Sequence, residues 1–483
     1  MGRSSPIRLG QARLAEIARS GIPVPTYDRA GLQPAIVHVG VGGFHRAHLA
    51  VYVHELASRG SGLGIVGLGL LARDAAMAAA LRGQDCLYTL IEKDGCEPSA
   101  QVIGSITGFV HAPAGHDAAA AELIAAPGTR ILSLTITESG YAEPPAGESG
   151  RTTFDRIAAA LAVRRDRAAG PITILSCDNV PRNGHAARGA TLSAAARHDP
   201  ALPEWVEEHC AFPNSMVDRI TPATSPEDRE WLRDSAGIVD GWPVVSEAFR
   251  QWVMEDNFAA DRPAWEDAGA LFTDRIHDWE QYKLRMLNAG HSCIAYLAAL
   301  AGITYVHEAM AVGALRTFLE DLLHREAMPT LVEIPGHPRE EYAGSVLERF
   351  ANVGVRDQIA RLCIDGSAKF PTFLIPTIER QLEHGGPIER AATALAGWAR
   401  YLAVVSPKEQ AFDAGGDAAR RYAAEATADP VTFLAYKAVI PPAVRSSSRF
   451  RSAFAAGYER IAAGGPIAAM RAASEMQGAG GGL

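Results

Sequence analysis

Short apolar runs alternate with amphipathic, alanine-rich stretches through the first half of the chain. Such runs of four to eight residues are typical of buried strands, and the longer periodic stretches between them are typical of helices. Strands alternating with helices favour a largely parallel sheet covered on both faces. The predicted strands are residues 35–39, 63–70, 87–91, 102–110, 130–137 and 172–177, and the predicted helices are residues 46–58, 74–81, 118–125 and 154–167.

The pattern changes after about residue 275, where helical periodicity takes over. The stretch 261–275 contains Pro263 and Gly269 and is suited to a junction. We therefore predict two domains, an α/β domain with an N-terminal arm over residues 1–275 and an all-helical domain over residues 276–483. The predicted helices of the second domain are residues 279–300, 308–326, 340–352, 356–363, 377–383, 388–405 and 418–426.

Composition excludes several classes of protein. The 483 residues carry a formal net charge of −9, so no long-range attraction to nucleic acid or to anionic membranes is expected. The longest apolar stretch, residues 293–306, is shorter than the roughly 18 residues that a membrane helix needs. The six cysteines are scattered without a CxxC pair, which favours reduced thiols in the cytoplasm over a disulfide framework or a zinc site.

A glycine turn follows the first predicted strand. Gly40 and Gly42 form G-x-G between that strand and a helix, where exposed backbone N–H groups can hold a dinucleotide pyrophosphate. The third glycine of the G-x-G-x-x-G fingerprint is replaced by His45, so a tight turn without a ligand stays open as an alternative. His45 and His48 lack the companion ligands of a zinc site and are predicted to lie on the helix surface.

The acid that selects the cofactor in such a fold follows the second strand, where it binds a ribose hydroxyl. Asp74 is the first acid after residues 63–70, and it favours NAD. Arg73 precedes it and can accept the additional phosphate of NADP. A role for Asp74 at a helix N-terminus is an equally good interpretation.

One predicted helix carries polar groups among aliphatic ones. If Lys283 is set at zero and each residue advances about 100°, then Glu280, His291 and Asn288 fall near 60°, 80° and 140°. Leu287 and other large aliphatic residues share this arc. A lysine that is desolvated there has a lowered pKa and can serve as a base near neutral pH. The alternative is a structural Lys–Glu ion pair beside a core histidine.

Further polar residues lie in apolar settings. Asp178 and Asn179 follow a strand at its carboxyl end, where open α/β sheets bind ligands, although an Asx turn is also common there. Asp218 can line a site or pair with Arg219. Arg361 and Lys369 can hold sugar hydroxyls or a carboxylate, or can be solvated surface charges. P-loop, HExxH and G-x-S-x-G motifs are absent.

These segments together resemble the polyol-specific long-chain dehydrogenases, the family of mannitol 2-dehydrogenase and fructuronate reductase. The similar segments run in family order along the chain and include K-x4-N-x2-H at Lys283, Asn288 and His291. They are GVGGFHRAH, TITESGY, SCDN followed by NG, MVDRITP, FRQWVMEDNF, KLRMLNAGH and DGSAKFP.

The resemblance implies a metal-independent, NAD(P)-dependent alcohol dehydrogenase. It assigns Lys283 as general base, Asn179 and Asn288 as hydrogen-bond donors to the reacting oxygen, His291 as a positioning group and Glu280 as a proton relay. It also implies a polyol site lined by Asp218, Arg361 and Lys369, and a cofactor site with Gly40, Gly42, Phe44, Arg46 and Asp74.

The expected reaction is the oxidation of D-mannitol to D-fructose with NAD, with NADP as an alternative cofactor. D-Sorbitol and D-arabinitol are alternative substrates, and reduction of fructuronate is a third possibility that needs another cation for the carboxylate. The expected partners are a polyol or ketose only, and the expected state is a monomer or a small homo-oligomer.

Overall fold

The structure is a computed structural model that describes residues 6–95, 97–143 and 152–475. The chain divides into two compact units, residues 1–277 and residues 278–483. The described cysteines, Cys86, Cys177, Cys210, Cys293 and Cys363, are free thiols, and Cys96 lies outside the described residues.

A six-stranded parallel sheet forms the centre of the first unit. When its strands are numbered by their order along the chain, their spatial order is 3-2-1-4-5-6, which is the order of the Rossmann fold. The strands in spatial order are Ile106–His111, Leu63–Gly69, Gln33–Val39, Ile131–Leu134, Ile172–Ser176 and Cys210–Ala211. The prediction of a Rossmann-type parallel sheet is therefore confirmed.

Helices cover both faces of this sheet. Ile36 packs in a cluster with the helix Leu49–Ser58, whereas its neighbour Val37 packs on the opposite face with the helix Thr153–Asp166. Such two-sided burial explains why the strands appear in the sequence as continuous apolar runs. The α-helices of this unit are Leu14–Arg19, Gly43–Ala47, Leu49–Ser58, Ala75–Arg82, Asp117–Ile124, Thr153–Asp166, Asn183–His198, Leu202–His209 and Pro226–Asp234.

Three smaller sheets accompany the central one, and the sequence pattern did not reveal them. The predicted strand 102–110 is two strands, which are separated at Gly104 and Ser105, where the Ser105 hydroxyl donates to the Ala50 carbonyl. Tyr88–Asp94 pairs antiparallel with Glu97–Ile103 and parallel with Val244–Ser246. The other pairings are Ser215–Asp218 with Gln251–Met254, Gln251–Met254 with Leu271–Phe272, and Ile7–Arg8 with Ile238–Val239.

The prediction that His45 and His48 lie on a helix surface is wrong. The predicted helix 46–58 is interrupted at His48, and both imidazoles are fully buried. The His45 ring stacks on the His38 ring with 3.5 Å between centroids, and His48 Nε2 donates to the Gln251 carbonyl at 2.9 Å. Both rings therefore fill the space between this helix and its neighbouring strands.

The second unit is helical, as predicted. Within the described part of the chain, no helix has the length and apolar character needed to cross a membrane. The last helix of the second unit has a kink at Gly465. The helices of this unit, together with the one that leads into it, are Ile276–Tyr282, Lys283–Asn288, Ala289–Leu300, Val306–Ala311, Gly313–Asp321, Leu322–Ala327, Arg339–Ala351, Ile359–Leu362, Gly366–Phe373, Ile375–His384, Glu389–Val404, Gly416–Glu425, Pro442–Ser446 and Ser448–Glu475.

A buried ion pair joins two helical segments of this unit. Glu326 and Arg390 are both fully buried, and the Arg390 guanidinium lies 3.4 Å from the Glu326 carboxylate. The same carboxylate accepts the backbone N–H groups of Arg390 and Ala391 at 2.8 and 2.9 Å, in the first turn of the helix Glu389–Val404. Burial raises the pKa of Glu326 to about 7, while these donors act in the opposite direction.

We expect Glu326→Ala to lower the free energy of unfolding by about 3–5 kcal/mol, because the backbone N–H groups of Arg390 and Ala391 lose their acceptor and the buried Arg390 guanidinium loses its buried carboxylate partner. Urea denaturation followed by circular dichroism measures this loss. Glu383→Gln, in an exposed Arg–Glu pair, is the matched control and should change the free energy by less than about 0.5 kcal/mol. Equal effects of the two substitutions would contradict the assigned role.

Candidate active site

The glycine turn lies where the order of the central sheet reverses. Gly40 follows the strand Gln33–Val39 with φ +87°, and a Cβ atom there would lie 2.2 Å from the Thr135 carbonyl oxygen beyond the neighbouring strand. Only glycine fits this position. At Gly42, by contrast, the nearest atom to an added Cβ is the Gly40 carbonyl oxygen at 3.8 Å. The backbone is therefore open at the crossing point where such sheets bind dinucleotides.

Phe44 and Arg46 follow this turn, and their side chains contact the core. The Phe44 ring stacks on the His48 ring with 4.9 Å between centroids. Arg46 is buried, its guanidinium donates to the Trp242 carbonyl at 2.6 Å, and it lies over the Tyr88 ring. Burial lowers the pKa of Arg46 to about 10, so the side chain stays charged at neutral pH. Their contact with a cofactor stays a prediction.

Asp74 follows the second strand of the sheet and caps a short helical turn. Its Oδ2 atom accepts the Leu71 N–H at 3.0 Å. The structure thus shows the helix-terminal role that the sequence left open, and the carboxylate is half-buried. Arg73 beside it is exposed.

Asp178 ties together the ends of two neighbouring strands. Its carboxylate accepts the Thr137 N–H at 2.7 Å and the Tyr141 hydroxyl at 2.8 Å. Thr137 has φ +66°, which is rare and strained for a β-branched residue. Burial raises the pKa of Asp178, while the Tyr141 hydroxyl and backbone N–H groups act against this shift. The Asp178 carboxylate therefore secures a strained loop across the sheet, a role other than an Asx turn.

Asn179 and Asp218 lie on segments that Asn183 connects. The Asn183 side-chain amide donates to the Asp178 carbonyl at 3.0 Å and to the Ser215 carbonyl at 2.7 Å. Asn179 is exposed, and Asp218 is a buried residue at the end of the strand Ser215–Asp218. Arg219 is buried and forms an ion pair with Glu92.

The predicted helix over residues 279–300 lies within a continuous helical stretch over residues 276–300, and a π-helix runs from Lys283 to Asn288 inside it. Hydrogen bonds in a π-helix join residues five apart, which brings positions five apart closer together around the axis than in an α-helix. Lys283 and Asn288 have this spacing. The π segment therefore moves Asn288 toward the face that carries Lys283, and such segments are frequent at functional sites.

Two polar atoms on this helix are buried without a hydrogen-bond partner among the described residues, Asn288 Nδ2 and His291 Nε2. Such atoms are costly unless a ligand or water satisfies them. The His291 ring stacks on Phe350 with 3.8 Å between centroids, and burial lowers the pKa of His291 to about 3. Neutral His291 can thus donate or accept a hydrogen bond. Glu280 is buried, and Lys283 is half-buried.

Arg361 and Lys369 lie close together near the helix Ile359–Leu362. Lys369 Nζ donates to the Leu362 carbonyl at 3.0 Å. Arg361 binds Asp357 through two nitrogens, and both cations act electrostatically on His291. The structure thus groups the predicted substrate residues His291, Arg361 and Lys369 within the second unit. Asp357 was not among the predicted site residues, although a carboxylate four residues before Arg361, within the predicted helix 356–363, is a recognisable signal.

The described residues contain no group of three or more His, Cys, Asp or Glu side chains that could hold a metal ion.

Two family profiles match the chain. One, described as the mannitol dehydrogenase Rossmann domain, covers residues 34–267, and the other, the mannitol dehydrogenase C-terminal domain, covers residues 275–462. Mannitol 2-dehydrogenase of Aspergillus terreus is 40% identical, and the alignment covers 96% of this chain and 99% of that protein. The chain belongs to the mannitol dehydrogenase family. Mannitol dehydrogenase 2 of Saccharomyces cerevisiae is 38% identical, with coverage of 95% and 96%.

Solved structures of this family share the fold along nearly the whole chain. The mannitol 2-dehydrogenase of Pseudomonas fluorescens, in a ternary complex with NAD and D-mannitol, matches with a TM-score of 0.86 and 36% identity, over 96% of this chain and 99% of that one. A substrate-free D-sorbitol dehydrogenase matches with a TM-score of 0.86 and 32% identity, over 96% and 100%. The resemblance noted in the sequence is confirmed, and the chain is an oxidoreductase of the mannitol dehydrogenase family.

We expect Asp178→Ala to lower the free energy of unfolding by about 1–3 kcal/mol, because the Thr137 N–H and the Tyr141 hydroxyl lose their acceptor. Thermal and urea denaturation measure this change. Asp166→Ala removes an exposed carboxylate that pairs with Arg165 and is the control, with an expected change below about 0.5 kcal/mol. A variant at position 178 as stable as this control would show that the loop is held by other contacts.

Proposed function

We propose that this protein oxidises D-mannitol to D-fructose with NAD. The observation that carries the proposal is the helical face of the second unit, where Asn288 and His291 present unpartnered buried polar atoms and Lys283 lies five residues before Asn288. Family membership adds support, since a solved relative is described with NAD and D-mannitol.

Lys283 is the proposed general base. Lys283 is half-buried, and a lysine side chain in its neutral form can accept the proton of the alcohol. Glu280 lies three residues earlier and is buried, with a carboxylate able to pass this proton onward. A catalytic role for Lys283 and Glu280 accounts for the unusual mixture of polar and aliphatic residues on this helix.

Amide side chains stabilise the charge that develops on the reacting oxygen. Asn288 has a buried side-chain nitrogen available for this bond, and Asn179 is an exposed amide at the carboxyl end of the fifth sheet strand. Fixed donors aimed at a developing alkoxide supply a large share of the rate enhancement in such reactions. His291, held neutral and stacked on Phe350, orients the substrate through its Nε2 atom.

The dinucleotide rests on the glycine turn. Gly40 allows the close approach to Thr135, and Gly42 leaves open space for the pyrophosphate above the backbone. Phe44 and Arg46 support the turn through the core, and Asp74 offers an acceptor for a ribose hydroxyl. Bound NAD supplies the acceptor for the hydride that leaves the alcohol carbon.

The remaining hydroxyl groups of the polyol are bound by Asp218, Arg361 and Lys369. A carboxylate accepts hydrogen bonds from hydroxyls, whereas the two cations donate to hydroxyl oxygens. Grouping of Arg361 and Lys369 around Leu362 and near His291 supports this assignment.

D-Sorbitol is the second candidate substrate, because a D-sorbitol dehydrogenase has the same fold over nearly the whole chain. D-Arabinitol and D-mannonate, the product of fructuronate reduction, are the further alternatives.

A substrate panel tests the assignment. NADH or NADPH formation, followed by absorbance, is compared for D-mannitol, D-sorbitol, D-arabinitol, xylitol and D-mannonate with NAD and with NADP. We expect the highest kcat/KM for D-mannitol with NAD. A preference for D-sorbitol would select the second candidate, and a preference for D-mannonate would assign the protein to sugar-acid metabolism.

Replacement of the proposed base is a separate test. We expect Lys283→Ala to lower kcat by about 10²–10⁴-fold, because the alcohol proton loses its acceptor, while the dissociation constant for NAD stays unchanged. Single-turnover absorbance measures hydride transfer, and fluorescence titration measures NAD binding. Lys408→Ala, at an exposed position, is the control. Turnover near the wild-type rate in Lys283→Ala would refute the role of this residue.

A further inference from the structure

Asp357 forms an unusual ion pair with Arg361. The guanidinium Nε atom donates to one carboxylate oxygen at 2.7 Å and a terminal nitrogen donates to the other at 2.5 Å. The Asp357 side chain is 5% exposed, whereas the Arg361 side chain is 51% exposed. A buried carboxylate therefore holds a cation that extends into solvent, in the two-point geometry that fixes a guanidinium most firmly.

The backbone around Asp357 is fixed on both sides. The Asp357 carbonyl accepts the Val306 N–H at 2.9 Å, and the Ile359 N–H donates to the Thr304 carbonyl at 2.9 Å. Arg356, the preceding residue, has φ +49° and lies over the Tyr305 ring. The chain thus makes a tight turn that sets the position of the carboxylate before the helix of Arg361 begins.

A contribution to folding stability does not explain well why Asp357 and Arg361 form this ion pair. Exposed ion pairs contribute little, because water solvates the charges and long side chains lose entropy when they are held. Here the carboxylate also bears the cost of burial, which would raise its pKa if the hydrogen bonds from Arg361 did not keep the pKa below its usual value. An arrangement that is costly for one partner and constrains the other is better explained by the need for a fixed guanidinium.

We propose that Asp357 is a positioning residue that presents the Arg361 guanidinium to the hydroxyl groups of the polyol. The inference rests on the proposed function, in which Arg361 binds substrate. Two guanidinium nitrogens are occupied by Asp357, so the third is left to bind a hydroxyl in a fixed direction. Asp357 acts through Arg361 and does not itself bind the substrate.

The test is a double-mutant cycle with Asp357→Asn, Arg361→Ala and the combined variant, measured with D-mannitol and NAD. Asparagine has the shape of aspartate but lacks the charge and one acceptor. We expect the KM for D-mannitol to rise about ten-fold in Asp357→Asn, with kcat and the KM for NAD little changed. The combined variant should be no more impaired than Arg361→Ala, because Asp357 then has no guanidinium to position.

Asp357→Glu provides the conservative variant, and Glu383→Gln the matched control. Glutamate keeps the charge and the spacing of four residues to Arg361, so it should recover most of the affinity that asparagine loses. Glu383→Gln makes the same chemical change in an exposed Arg–Glu pair and should leave KM unchanged. Thermal denaturation of every variant shows that the protein remains folded.

Three results would overturn the inference. They are an unchanged KM in Asp357→Asn, additive losses in the combined variant, and equal losses in the Asn and Glu variants, which would assign the effect to packing. A wild-type protein without turnover of any polyol would instead overturn the proposed function and, with it, this role of Asp357. The two failures are thus distinguished by the activity of the wild type.

Discussion

The need to satisfy buried polar groups governs how both units are built. A buried donor or acceptor without a partner costs as much as a lost hydrogen bond or more, so each one requires a specific neighbour. Asp178 meets this need for the strained Thr137 loop, and Glu326 meets it for Arg390 and the start of a helix. Asn288 and His291 each keep a buried nitrogen without a partner among the described residues, and the proposed function assigns these two atoms to the substrate.

The two units arrange their parts in different ways. In the first unit, backbone geometry positions the candidate site residues. Gly40 lies against the Thr135 carbonyl, and the polar residues follow the carboxyl ends of parallel strands. In the second, side chains on helices are held by other side chains, such as His291 by Phe350 and Arg361 by Asp357.

Much of this arrangement could be predicted from the sequence. Parallel strands that are buried on both faces leave continuous apolar runs, and the glycine turn follows the first of them. The polar face with Lys283 was visible as well, because charge among aliphatic residues is conspicuous at helical spacing. The burial of His45 and His48 could not be predicted. The His45 ring packs on His38, which lies in a strand, and His48 bonds Gln251, which is far away in the sequence. The role of Asp357 was not predictable in the same way, because its position depends on backbone hydrogen bonds with residues 304 and 306, about fifty residues earlier in the chain.

The π-helix Lys283–Asn288 has a consequence for how this segment can change in evolution. A turn closed between residues five apart contains one residue more than an α-helical turn, so the segment Lys283–Asn288 is equivalent to an α-helix with a single insertion. Substitutions within it leave this register intact, whereas loss of one residue rotates everything beyond it by about a quarter turn or more. The spacing between Lys283 and Asn288 should thus vary less among descendants of this gene than the residues that lie between them.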